Sequence, residues 1–366
     1  MAGFGVKAGA ALTALLMASG GVTAPAAAQQ ALNVKPGKSW RHGHSGITLP
    51  ATLAGIASSS AKSYANDQLD VSMSYEPEGT SDFLSVYIYR NTNGGVPVWF
   101  AQAQWAIEHR DVYGRVSPTT PQAFVPPRQT NASGLKAVYA LDESRGIKST
   151  GIALLPVGDW YVKLRLSSKG KNAQEVSAML DRALAEISWP SKIANAPVAT
   201  PVIPCATPLT FDATVKDVPK EHANIFLAPM SGMILRGLKA EKTDKSDNLP
   251  PVQSWCRERE FEQNQTMYRP SDATDRYLVA LGDNGNAVWV APDDANGIFV
   301  QKEKSPAPPP PYSVSMILAD KTIYYVSQDR MPSYEHVVKL INGDRSTVTM
   351  PTWGKSKTIQ VNSNAL

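Results

Sequence analysis

Gly158–Pro190, GDWYVKLRLSSKGKNAQEVSAMLDRALAEISWP, reads as a strand, a polar turn, a helix and a stop. Trp160, Val162, Leu164 and Leu166 alternate with Tyr161, Lys163 and Arg165, the period-two pattern of a half-buried strand. The spacing then changes. Val176, Leu180, Ala183, Leu184 and Ile187 fall at helical intervals and form one apolar stripe. Asn172, followed three residues later by Glu175, is an N-terminal capping pair, and Pro190 ends the helix. Everything before this unit can pack on it, and everything after Pro190 has a different texture. The unit itself shows no catalytic motif.

Upstream, Leu69, Val71, Met73 and Tyr75 alternate, as do Leu84, Val86 and Ile88, with turn residues from Glu76 to Asp82 between them. That pattern predicts a hairpin. Pro97 is placed to open a helix, and Val98–Asp111 carries a broad apolar face. Leu135–Leu141 and Gly151–Val157 read as two further strands, and Ile47–Pro50 as a short entry strand. The order is hairpin, helix, strands, strand, helix, with connections short enough for antiparallel neighbours. This resembles the PsbP-like and DcrB-like α/β domains of chloroplast lumen and bacterial periplasm. The resemblance is carried by His44–Ile56 (HSGITLPATLAGI), by Asp70–Gly79 (DVSMSYEPEG) with Leu84–Arg90 (LSVYIYR), and by Asp159–Ser168 (DWYVKLRLSS) with its helix. It covers about Ser39–Pro190 and rests on element order, without a diagnostic motif. What it implies is binding, assembly or accessory work rather than catalysis.

Ser191–Pro208 has four prolines among Ala, Val and Thr and reads as a semi-rigid linker. Beyond it the chain is β-rich. Tyr277–Leu281 and Ala287–Val290 flank Gly282-Asp283-Asn284-Gly285-Asn286, a hairpin signal, and Val314–Leu318 with Thr322–Ser327 make another. Phe211–Val215, Ile225–Leu227, Ile298–Gln301, Thr347–Met350 and Thr358–Val361 are short apolar pieces, and Tyr334–Leu340 fits one or two helical turns. The expected fold class is α+β: an N-terminal antiparallel sheet with packed helices, PsbP-like, then a smaller β-rich domain with one disulfide.

Lys7, the apolar run Ala8–Gly20 and the small-residue stretch Ala26-Ala27-Ala28 predict an export leader cleaved after Ala28. The expected division is leader 1–28, a loose arm 29–38, an α/β domain 39–190, the linker 191–208 and a β-rich domain 209–366. The expected location is the periplasm or the medium. In that compartment the only two cysteines, Cys205 and Cys256, read as one disulfide. A net charge of +4 is too small to argue for nucleic acid, and no later segment is apolar enough for a transmembrane helix.

Residues that bear chemistry are few. His42 and His44 share a face if extended, but two imidazoles do not make a metal site, and two exposed histidines in an arm explain them. Glu108-His109, Glu221-His222 and Glu335-His336 repeat one dipeptide, yet adjacent residues do not face each other. In Arg257–Glu262, REREFE, alternation would put Arg257, Arg259 and Phe261 opposite Glu258, Glu260 and Glu262, the pattern of a charge-defended edge strand. Asp283–Asn286 and Asp293–Gly297 lack calcium-loop spacing and read as turns. Pro306–Pro311 is polyproline II, read as a spacer. GxSxG, HExxH, P-loop and GxGxxG patterns are missing from the sequence. No catalytic residue, metal ligand or cofactor is assigned. The expected function is non-catalytic binding or accessory work in the bacterial envelope, with an envelope protein or polymer as partner. The alternative is an envelope hydrolase with a dispersed carboxylate/histidine site.

Overall fold

A computed structural model describes residues 21–22, 29–35, 37–142, 146–218, 254–293, 310–355 and 358–362. The described residues are mostly sheet, with three α-helices among them. The first sheet has eight strands: β1 Gln30–Ala31, β2 Ser60–Ser63, β3 Asp70–Tyr75, β4 Asp82–Arg90, β5 Gln122–Phe124, β6 Gly134–Ala140, β7 Ser149–Val157 and β8 Trp160–Ser168. Their spatial order is β1-β2-β3-β4-β8-β7-β6-β5, every pairing antiparallel. The hairpin, both later strands and the strand at Trp160 form as the alternation predicts. The arm expected to be loose supplies the edge strand β1, and Leu32 and Val34 pack partly on the core.

Helix α1, Val96–Glu108, opens with Pro97 in its first turn. Helix α2, Ala173–Glu186, starts with the capping box: Asn172 Oδ1 accepts from the Glu175 amide at 3.0 Å, and Glu175 Oε2 accepts from the Asn172 amide at 2.7 Å. Val176, Leu180, Ala183 and Leu184 of α2 bury against Leu84, Val86, Ile88, Val162, Leu164 and Leu166 on one face of the sheet.

The strand at Trp160 departs from the half-buried reading. Tyr161 and Lys163 are as buried as the leucines beside them, because α1 and the second half of the chain cover that face too. Tyr89, Tyr161, Ile152 and Leu154 share one core with Trp99 and Phe100 of α1 and with Trp255, Tyr268, Leu278 and Ala280 from the second half.

That half forms a nine-stranded sheet: β9 Ile203–Pro204, β10 Trp255–Phe261, β11 Gln265–Pro270, β12 Tyr277–Leu281, β13 Ala287–Pro292, β14 Tyr312–Ile317, β15 Lys321–Tyr325, β16 Ser346–Pro351 and β17 Gln360–Val361. Each strand neighbours the next in sequence, antiparallel except for the parallel β9–β10 pair. Helix α3, Tyr334–Asn342, is capped by Ser333 and covers the outer face through Tyr334, Val337, Leu340 and Ile341. Phe211–Val215 is irregular, although Phe211 packs edge-on to Tyr277. Ile225–Leu227, Ile298–Gln301 and most of Pro306–Pro311 lie outside the described residues.

Cys205 and Cys256 are joined, with Cα atoms 4.9 Å apart, so the disulfide ties the end of the proline-rich segment to β10. Among the described residues strand β10 has only two-residue β9 on its outer side, close to the expected edge strand. A bulge between Arg257 and Arg259 breaks its alternation. The three glutamates therefore do not form one face: Glu258 turns inward and its Oε2 accepts from buried Arg269 Nε at 2.9 Å.

Candidate functional site: a polar cavity between the two sheets

The β12–β13 turn, 282–286, reaches across to the first sheet as a tongue. Gly285 has φ +90, and a Cβ there would sit 3.1 Å from the Arg90 carbonyl oxygen, so a side chain would be strained by conformation and crowded against that carbonyl. The Gly285 carbonyl accepts from Asn93 Nδ2 at 2.9 Å and Thr92 Oγ1 at 3.3 Å. Pinned in this way, the tongue lowers Asp283 and Asn284 onto the first sheet.

What they meet is fixed by strand register. Asp70, Tyr89 and Tyr161 form one cross-strand row, and Ser72, Tyr87 and Lys163 the next; Ser85, Arg165 and Ile152 follow. Side chains from these rows, with Tyr64 and the tongue, enclose a cavity of about 350 Å³. Lys163 Nζ lies 2.6 Å from Asp283 Oδ2 and donates to the Asp283 carbonyl at 2.8 Å. It also stands 4.8 Å and 5.5 Å from the ring centres of Tyr87 and Tyr89. Asn284 Nδ2 donates to Asp70 Oδ2 at 3.1 Å.

The two carboxyls are pushed in opposite directions. Burial dominates at Asp70 and raises its pKa to about 7, against the smaller pull of Asn284 and Lys163. At Asp283 burial also pushes upward, but the charge and hydrogen bond of Lys163, with Arg165 beyond, hold it below the usual carboxylate range. Lys163 pairs with Asp283, Asp70 is about half protonated at neutrality, and Arg165 has no ion-pair partner among the described residues. Arg165 Nε and Nη2, Tyr89 Oη and Asn284 Oδ1 are buried without a hydrogen-bond partner among the described residues. The Arg165 guanidinium carbon lies 5.6 Å from the Tyr113 ring centre.

The residues singled out in the sequence fare differently. His42 is fully buried, not exposed: its Nε2 donates to the Gln68 carbonyl at 3.0 Å and its Nδ1 accepts from the Ser45 amide at 3.2 Å. Burial lowers its pKa, and with both ring nitrogens engaged it is a structural histidine. His44 Nε2 donates to the Asp67 carbonyl at 3.0 Å, and its ring stacks on Trp160 and meets Trp353 edge-on. Together the two rings hold Asp67 and Gln68, both in left-handed backbone conformations.

His109 Nδ1 donates to the Trp105 carbonyl at 2.9 Å, and Glu108 accepts from Tyr139 at 3.1 Å. His336 Nε2 lies 2.8 Å from Gln328 Oε1, while Glu335 pairs with Arg259. Neither dipeptide builds a dyad, and Glu221-His222 lies outside the described residues. Asp293 is buried with its amide on the Pro311 carbonyl, and 294–297 lie outside the described residues. Among the described residues no cluster of three or more His, Cys, Asp or Glu is arranged to hold a metal ion. Asp283 and Asn284 were legible only as turn residues, and Lys163 and Arg165 only as the polar face of a strand. Asp70, Tyr87 and Tyr89 carried no signal beyond alternation.

No family model and no curated protein matches the sequence. A crystal structure of a protein from Bacteroides thetaiotaomicron VPI-5482 aligns over 69% of this chain and 89% of its own, at 7% identity and a TM-score of 0.21. A likeness that slight carries no argument. Among the described residues no helix is long and apolar enough to cross a membrane.

Proposed function

We propose that the chain is an exported, non-catalytic binding protein of the bacterial cell envelope, with a PsbP-like first half. Its ligand is a small molecule bearing a carboxylate or phosphate, held in the cavity under the tongue. One observation carries the reading: Arg165 lines a cavity of ligand size and keeps Nε and Nη2 buried without a partner. Those two nitrogens are the side-on edge of the guanidinium, the pair that receives a carboxylate or phosphate in bidentate fashion once the side chain turns them toward the cavity. Tyr89 Oη and Asn284 Oδ1 supply further unpaired positions for hydroxyl or amide groups of the same ligand. The leader sequence and the disulfide support export.

The test is thermal unfolding and calorimetric titration of the full chain with phosphate, succinate and glucuronate. At least one probe should bind, and Arg165→Met should abolish that binding while keeping the fold. Binding that Arg165→Met leaves unchanged, or no binding by any of the three, would refute the assignment. Binding should also tighten as pH falls from 8 to 6, because an anion beside Asp70 favours its protonated form.

The hydrolase alternative rests on the opposed pKa shifts of Asp70 and Asp283, the signature of an acid and a base sharing a site. Binding is favoured because Lys163 occupies the Asp283 carboxylate. Turnover of a glycoside or ester by the wild-type chain, lost in Asp70→Asn, would reverse that preference.

A further inference from the structure

Gly21 and Val22 are seated in the second half of the molecule as a ligand would be. Val22 is 4% exposed and packs in the core that includes Met267, Tyr277 and Val279. Its amide donates to Gln265 Oε1 at 3.3 Å, and its carbonyl accepts from Gln265 Nε2 at 2.9 Å. One side-chain amide thus pairs with both backbone groups of a single residue, as a neighbouring strand would. Gln265 is itself buried, and its Oε1 also accepts from the Tyr334 hydroxyl at 2.8 Å. The Gly21 carbonyl accepts from Asn342 Nδ2 at 3.0 Å. A Cβ on Gly21 would lie 2.5 Å from Oε1 of exposed Gln263, which can swing aside, and 3.0 Å from Nε2 of buried Gln265, so a side chain there would press on the amide that holds Val22.

Gly21 also lines a cavity of about 560 Å³ whose wall includes Glu260, Glu262 and Glu335. Arg259 is paired with Glu335, and Arg257 with Glu260, which leaves Glu262 with no ion-pair partner among the described residues. An excess of carboxylate at this point suits a positive group.

Cleavage after Ala28 would remove Gly21 and Val22. It would strip the buried Gln265 amide of both backbone partners and leave a valine-sized void, two costly defects in one place. The sequence offers a second processing point. Ala18 and Gly20 put small residues three and one positions before Gly21, directly after the apolar run.

We propose that the bond before Gly21 is the one cut on export, and that Gly21–Val22 is the mature N-terminus, docked in the Gln265–Asn342 slot with its new ammonium group beside the glutamate-lined cavity. Hydrolysis of that peptide bond consumes one water and yields the leader carboxylate and the Gly21 amine. The inference rests on the export reading proposed above, and two measurements keep their failures apart.

The first is the intact mass of the full-length protein expressed in a Gram-negative host and recovered from periplasm and medium. A chain beginning at Gly21 is expected. A chain beginning at Gln29 would overturn the proposal while leaving export standing, and an uncut cytoplasmic chain would overturn export.

The second measurement needs no export. Chains produced with Gly21 or with Gln29 as first residue are compared by thermal unfolding. The Gln29 chain should melt several degrees lower, and a synthetic Gly-Val-Thr-Ala peptide with a free amine should restore part of the loss. The same peptide N-acetylated should restore less. Equal melting temperatures of the two chains would show that the slot is not a structural anchor and would end the proposal. So would equal rescue by the free and acetylated peptides, for the ammonium contact.

Discussion

At the residue scale the site turns on one carboxyl. Asp70 occupies a strand position where the alternation of β3 requires only that it face away from Val71 and Met73. Burial under the tongue raises its pKa from the ordinary 3.8 to about 7. The folded state therefore holds a proton that the unfolded chain releases between pH 4 and 7. Stability contributed by this group is full below about pH 4 and falls as pH rises through 7, by at most about 4 kcal/mol. Asp70→Asn should abolish that slope. The variant is expected to match wild type near pH 4 and to exceed it at pH 8, measured by urea unfolding at both values. An unchanged difference between the two pH values would show that Asp70 is solvated in the folded chain. Nothing local to Asp70 signals this shift, because burial by a distant turn leaves no trace in the neighbouring residues.

Elements were legible where their signal is local. The capping box at Asn172 and Glu175, the opening Pro97 and the glycine-asparagine turn at 282–286 each act over a few residues, and each forms as the sequence predicts. The bulge in β10 was not legible, since it depends on Glu258 finding Arg269 in the adjacent strand. Nor was the burial of Lys163, a polar position on a strand that solvent would ordinarily cover. The tongue shows the limit most clearly: its turn chemistry was readable, but its target was not. Gly285→Ala tests whether the target matters. With φ +90 and the Arg90 carbonyl 3.1 Å from the added carbon, the substitution should cost on the order of 1–3 kcal/mol in urea unfolding. It should also weaken any ligand that Arg165 binds. A loss of stability without loss of binding would separate the tongue from the cavity.

At the scale of the whole molecule, texture divides the chain at the proline-rich segment, but packing crosses it. Trp255, Tyr268 and Leu278 share a core with Trp99, Phe100 and Tyr161, and Gln102 Nε2 donates to Asn264 Oδ1 at 2.7 Å while its Oε1 accepts from Tyr268 at 3.0 Å. Arg90 Nη1 donates to the Ala319 carbonyl at 2.6 Å, and the Trp353 indole donates to Asp67. Read from composition alone, 39–190 and 209–366 should melt separately, with only the second responding to reductant. A shared core of aromatic side chains predicts otherwise, because neither half can open without exposing residues of the other. The disulfide closes a loop of 51 residues, which on the chain-entropy account stabilises by roughly 4 kcal/mol before any native strain is subtracted. Calorimetry of the oxidised chain should therefore show one transition, and reduction, or Cys205→Ser with Cys256→Ser, should move that single transition downward as a whole. Two transitions of which only one shifts would mean that the interface forms after each half has folded by itself, and the cavity between the sheets would then be an opening joint rather than a fixed pocket.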